Sequence, residues 1–450
     1  MFEIHPSARE NFDSKVAMLL GKIAGAPRSE TRNPRFESEV HVAATITDKE
    51  IIGEPREAIT DYRGKTVGRF FIFSGNRYGL IDQSHEELVK LAESIQKLPA
   101  FRDHLSKEFV EECMFSWLRN EFESPGTSEP FMQWLSSEAS KVVKPITVFV
   151  PVANAVVEAA FQFCGATIRN MTKAMIDDLA SIGESNPDEE VRKSATTFFD
   201  EFRKEYQGYV VVETHLTCEP NFANDLAINI ASRVTDLLGI YSGAVLMPDV
   251  KCVSKIKGTE NLGQYTTVTK AQDGGLSIQK GILDRASARH WHISRLDLEE
   301  YSRCGLGMVS QIATKEKRTD FESTVLNMAF LYSKAAFTSD PMEKLVHMLS
   351  ALESTLLRNE SEPIQQNLAE RLAFFTSHEL SERKTIIKNV RHVYGLRSKY
   401  LHHGHSSGDL EEMSTFFVRV WIFYVQLVVN SGRFNSKSEF LDAIDDHKLT

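Results

Sequence analysis

Residues 382–405 read ERKTIIKNVRHVYGLRSKYLHHGH. On a wheel of about 100° per residue, Ile386, Val390, Val393 and Leu401 share one face, and Lys384, Lys388, Arg391 and Lys399 share the opposite one. The spacing predicts a helix over 382–403 that buries its apolar stripe. Six Lys and Arg stand here against Glu382, a local net of +5 in a chain whose net charge is −10. Arg397 breaks the pattern, because it falls inside the apolar stripe. A guanidinium there is costly unless it meets an anion. That anion is either a carboxylate of the fold or a phosphate of a ligand.

Working outward, the neighbouring segments are helical as well: 322–337, 340–358, 364–377 and 410–431. Asp340 reads as a cap, with Pro341 first in the helix and Glu343 three positions after the cap. The links carry Ser339-Asp340-Pro341, Ser361-Glu362-Pro363 and His403 to Gly408. Short links between helices imply an antiparallel bundle. In the helix 340–358 the stripe is Leu345, Leu349, Leu352 and Leu356, with Glu353 at its edge. A Glu353–Arg397 contact across the bundle satisfies both groups. It is either a structural ion pair that orients two helices or the support of an Arg held for a phosphate.

Upstream, strand-like and helical segments alternate. Residues 39–46 and 68–73 read as strands, 86–140 as helical with Leu88, Leu91, Ile95 and Leu98 in one stripe, and 145–171 as extended over 146–151, followed by an apolar run to Ile168 whose type periodicity leaves open. Asn186, Pro187 and Glu189 predict a helix start, followed by a strand at 209–216 and a helix at 223–240. The strand signals stop near 295. The predicted class is α+β: a mixed region over 1–295, divisible near 140, and a helical bundle over 296–450.

The chain has 450 residues, 42% apolar and 25% charged, ordinary values for a soluble globular protein. With 52 Lys and Arg against 62 Asp and Glu, a uniformly basic nucleic-acid coat is ruled out, though a local patch is not. Five scattered cysteines without a C-x-x-C pair read as reduced thiols, which predicts a cytoplasmic protein. The N-terminus shows no secretory pattern, and the apolar stretches 145–163 and 416–429 read as core segments, so no membrane partner is expected.

The chemistry-bearing candidates lie at the end of the quoted helix, where Arg397 is followed by His402, His403 and His405. Histidine titrates near neutral pH and can take a proton from a ribose 2′-OH or give one to a leaving oxygen. Arg can hold the phosphate and offset its developing charge. This pair suffices for RNA cleavage with no metal or other cofactor. The competing reading is a set of exposed histidines that favour a helix C-terminus. In an ideal helix Arg397 and His402 point about 140° apart. They meet only if the helix end distorts near Gly404 or if two chains combine about a symmetry axis. No carboxylate or Cys is spaced to complete a metal site with these histidines.

The run Val393-Tyr394-Gly395-Leu396-Arg397-Ser398-Lys399-Tyr400-Leu401-His402-His403-Gly404 resembles the signature of HEPN domains, in particular the Apea-like HEPN group. That signature is an Arg, a small polar residue, and a His four to six positions on, often followed by Gly. The Ala351-Leu352-Glu353 step and the Ala369-Glu370-Arg371-Leu372-Ala373 helix also look like that group, and the resemblance covers residues 320–432. It implies a dimerising helical bundle. Many members are metal-independent endoribonucleases of phage defence or toxin systems, and others are non-catalytic binding modules. By position, Arg397 would hold phosphate, His402 or the adjacent His403 would be the acid/base, and Ser398 would fill the polar position. Glu353, Tyr394 and Lys399 would support them.

One further stretch, Arg285, Arg289, His290, Trp291, His292 and Arg295, reads either as an RNA contact or as a linker. The expectation is therefore an endoribonuclease that acts on RNA as a homodimer through its C-terminal bundle. Residues 1–295 would sense a phage-derived or other trigger or recruit substrate. The alternative is a non-catalytic interaction module with a structural Arg397–Glu353 pair.

Overall fold

The computed structural model describes residues 2–25, 58–60, 66–126, 128–259, 264–270, 276–282, 290–359, 361–403 and 409–448. The strand expected at 39–46 lies outside them. The chain forms two compact units, Met1–Ile146 with Leu216–Asp225, and Thr147–His215 with Leu226–Thr450.

The first unit opens with α1 (Pro6–Leu20), whose Pro6 supplies a helix-compatible φ at the first position. Strands β1 (Ala24–Gly25), β2 (Ala58–Thr60), β3 (Thr66–Phe73) and β4 (Asn76–Ile81) form an antiparallel sheet in the order β1-β4-β3-β2. Ser74 and Gly75 turn the β3–β4 hairpin with φ of 48° and 77°, the left-handed pair that a tight two-residue turn requires. Helices α2 (Gln83–Gln96) and α3 (Lys107–Glu123) pack on it, and α4 (Phe131–Val142) packs on α1 and α3. Leu88 and Ile95 of the expected stripe are buried beside Val16, Phe71, Leu80 and Phe131, with Leu91 and Leu98 packed at the margin. Helix α1 is not apparent from apolar spacing, because it buries fully only Val16 and Leu19.

The apolar run after residue 144 resolves into strands: β5 (Lys144–Val152), β6 (Ala155–Val157), β7 (Phe161–Phe163) and β8 (Ala166–Asn170). Helices α5 (Lys173–Glu184) and α6 (Glu189–Tyr206) lead to β9 (Val210–Cys218) and α7 (Pro220–Gly239). The sheet order is β5-β9-β8-β7. Helix α6 starts two residues later than its Pro signal implied. Asp188, not Asn186, caps it by accepting from Glu190 N, while Asn186 accepts from Asp188 N. An antiparallel hairpin, β10 (Gln264–Lys270) and β11 (Leu276–Ile282), precedes β12 (Trp291–Ile293), which pairs in parallel with β6.

From Ser294 onward the described elements are helical. They are α8 (Arg295–Arg303), α9 (Leu306–Thr314), α10 (Asp320–Ala336), α11 (Pro341–Leu356), α12 (Ile364–Thr376), α13 (Leu380–His403), α14 (Leu410–Val429) and α15 (Lys437–His447). The protein is thus α+β with a helical C-terminal half. Capping boxes at Ser294/Asp297 and Thr319/Glu322 fix the starts of α8 and α10. Asp340 caps α11 by accepting from Met342 N and Glu343 N. Leu345, Leu349, Leu352 and Leu356 of α11 are fully buried, as are Val390 and Val393 of α13. Leu401 departs from the stripe read for it and is 57% exposed. Helix α14 is long and apolar enough to cross a membrane by length and composition, and its Phe416, Phe417, Val420, Phe423 and Leu427 are buried within the protein.

Candidate functional site

Glu353 sits one position after the buried Leu352, on the last turn of α11, which runs beside α13. Arg397 reaches it from α13. Its Nη1 donates to Glu353 Oε1 at 2.6 Å and to the Tyr394 hydroxyl at 2.9 Å. The Tyr394 hydroxyl in turn donates to the same Glu353 oxygen. Arg397 and Tyr394 stand one turn apart on α13, which is why both meet one carboxylate. The guanidinium carbon also lies 5.4 Å from the Tyr394 ring centroid.

The pair is neither sealed nor free. The Arg397 and Glu353 side chains are 19% and 22% exposed. Arg397 Nε is buried and has no hydrogen-bond partner among the described residues. A buried donor left open costs free energy, a cost that Arg203 Nε shares. Burial, and then the hydrogen bond to Glu353, push the Tyr394 phenol up to about 12. It therefore stays a neutral donor at any physiological pH.

Ser398 and Lys399 are exposed on α13. His402 is exposed in the last turn, and α13 runs as a continuous helix through His403. Within one chain the helix therefore carries His402 about 140° around the axis from Arg397. The side chain of His403, and all of Gly404 and His405, lie outside the described residues. So do Arg285 and Arg289 of the second basic stretch. Within it, Trp291 and His292 belong to β12, and Arg295 Nε lies 3.6 Å from Glu158 Oε1. Among the described residues no group of three or more His, Cys, Asp or Glu is placed to hold a metal ion.

Two buried cations gave no local signal in the sequence. Arg371 of α12 donates to Leu356 O at 2.7 Å and holds Glu362 and Asp445 at 2.9–3.1 Å through both ends of its fork. Lys344 of α11 donates to the backbone oxygens of Ala244 and Met247 at 2.7 Å and of Val250 at 2.5 Å. Both are structural, with every contact made inside the second unit.

No protein-family model, curated protein or solved structure matches this chain.

Proposed function

We propose that the helical half is a HEPN-type, metal-independent endoribonuclease. The observation that supports this reading is the Arg397–Glu353–Tyr394 cluster: a guanidinium fixed in direction at the bundle wall and partly exposed. An RNA phosphate oxygen reaches the partly exposed Arg397 side chain and competes with Glu353 for its charge. His402 supplies the acid/base. It takes the 2′-OH proton, the 2′ oxygen attacks phosphorus, and the 5′ oxygen leaves with a proton. The products are a 2′,3′-cyclic phosphate and a 5′-OH.

A continuous α13 favours dividing these roles between two chains. Arg397 of one copy and His402 of a second meet where two α13 ends approach about a two-fold axis. Ser398 and Lys399 lie on the exposed rim beside them, and His403 is the alternative acid/base. By the same family likeness, the setting is cytoplasmic antiphage defence or toxin-like growth arrest. Residues 1–295 then sense a phage-derived or other trigger or recruit the RNA.

The test is to incubate purified protein with total RNA in EDTA and map the ends. Cyclic phosphates at new ends, lost in Arg397→Ala and in His402→Ala, support the reading. Two variants that both cut as fast as wild type overturn it. A second reading is favoured by one specific observation, the Glu353 carboxylate already bound to Arg397. On that reading the pair only orients α11 and α13, and the bundle is a non-catalytic interaction module that cuts no RNA.

A further inference from the structure

Helix α13 carries two kinds of charge. Some are matched: Arg397 with Glu353, Glu382 with Arg419 at 2.6 Å, and His392 with Asp409 at 3.7 Å. Arg383 lies over the Phe374 ring and donates to Ser377 O. The others are not. Lys384, Lys388, Arg391 and Lys399 are all exposed, and none forms an ion pair among the described residues. Helix α6 shows the ordinary solvated face for comparison, where Lys193 pairs with Glu189 at 2.7 Å one turn away. On α13 Lys384, Lys388 and Arg391 instead follow one another at four- and three-residue steps, an arrangement that repels itself, and Lys399 stands two turns further on.

The angular positions are more telling than the charge. With Lys384 as origin, Lys388 stands at about 40°, Arg391 at about −20°, Gly395 at about 20° and Lys399 at about 60°. His402 stands at about 0° on the same wheel. No apolar residue falls in this arc. The proposed acid/base thus closes a basic line about 27 Å long. In its middle is Gly395, where an added Cβ meets nothing within 4 Å. The line has a notch there, open to a backbone that approaches closely.

We propose that this line is the track of a single RNA strand, whose backbone runs from Lys384 over Gly395 to deliver a phosphate to His402. The proposal rests on the nuclease reading for its endpoint, and on the unmatched cations for its course. Their linear array fits a linear polyanion. A lipid surface calls for apolar side chains among the cations, and the arc has none. A single strand is specified because attack by a 2′-OH in line with the leaving oxygen needs a freely rotated phosphate, which a paired A-form helix does not offer.

The test uses a labelled single-stranded 2′-O-methyl oligoribonucleotide, which lacks the attacking hydroxyl and cannot be cut. Binding to the full chain is followed by anisotropy across a salt series. Each phosphate contact contributes about 0.7 to the slope of log affinity against log salt, so Lys388→Gln with Arg391→Gln lowers its magnitude by about 1.4. Gly395→Leu fills the notch with a better helix former. It weakens binding while the melting temperature holds or rises. Lys193→Gln, on α6, changes neither. An unchanged slope in the double variant, no binding by wild type, or displacement of the strand by polyglutamate at equal charge overturns the track. Cleavage of ordinary RNA is scored separately. Cutting without dependence on the line removes the track and leaves the nuclease standing, and binding along the line without cutting does the reverse.

Discussion

Arg397 and Tyr394 converge on a single oxygen of Glu353, so one carboxylate fixes two side chains of the neighbouring helix. The carboxylate and guanidinium are about one-fifth exposed, which places the pair between a surface bridge and a buried one. Arg397→Ala therefore lowers unfolding free energy by about 1–2 kcal/mol, since Glu353 loses its cation in a partly dry setting. Urea unfolding of Arg397→Ala, Glu353→Gln and the double variant measures the coupling. Additive effects would show that the contact does not hold α11 to α13. On the nuclease reading Glu353→Gln also tightens RNA binding, because the competitor for the guanidinium has lost its charge.

Much of this site is legible in the sequence. Arg397 stands out because it interrupts a stripe, and Glu353 because it borders one. The start of α11 follows from Asp340 and Pro341, whose signals are local. What escapes the sequence is non-local. The carbonyls that receive Lys344 lie about a hundred positions upstream, and no periodicity links them. Leu401 fits the stripe of α13 yet is exposed, because a stripe records angle and not whether a neighbour extends that far. The Asn186-Pro187 start misleads for a related reason, since two nearby residues can each accept a turn hydrogen bond and only one of them opens the helix.

The Arg371 fork predicts acid lability. Hydrogen bonding to Arg371 holds the Glu362 carboxyl below its ordinary range. For Asp445 burial acts upward, but bonds from Arg371, Lys448 and Arg358 outweigh it and also hold the carboxyl low. A folded value below the unfolded one means stability that is present above about pH 4 and lost as pH falls further. Urea midpoints should drop steeply across that range in wild type. Arg371→Met leaves Leu356 O without this donor and leaves Glu362 and Asp445 with their contacts to Arg358 and Lys448, costs about 3 kcal/mol at neutral pH, and reduces the acid dependence. A variant as acid-sensitive as wild type would assign the lability to other groups.

Lys344 predicts a slope of the same sign in base. Burial pulls its ammonium down to about 8, so the folded chain gives up this proton before the unfolded one does. Its contribution to stability accordingly rises between about pH 8 and about 10.4. Lys344→Met should lack that rise, seen as a difference in melting temperature between the two pH values. The same variant leaves the oxygens of Ala244, Met247 and Val250 without their donor, at a cost of about 3 kcal/mol or more at neutral pH. A smaller loss would mean that water replaces the amine.

The continuous course of α13 makes the two-chain site testable by mixing. If Arg397 and His402 of different copies form each site, a heterodimer of Arg397→Ala and His402→Ala chains holds one site with both groups intact and one with neither. Each variant alone is inactive, and an equimolar mixture that has exchanged subunits regains about a quarter of wild-type cleavage, because half the dimers are mixed and each carries one of two sites. An intrachain site gives the other result, since every site then lacks one group and mixing restores nothing. Silence after proven subunit exchange would therefore reject the shared site while wild-type cleavage still stood. The distortion needed to bring the two side chains together in one chain would then have to lie at the end of α13, beyond Leu401.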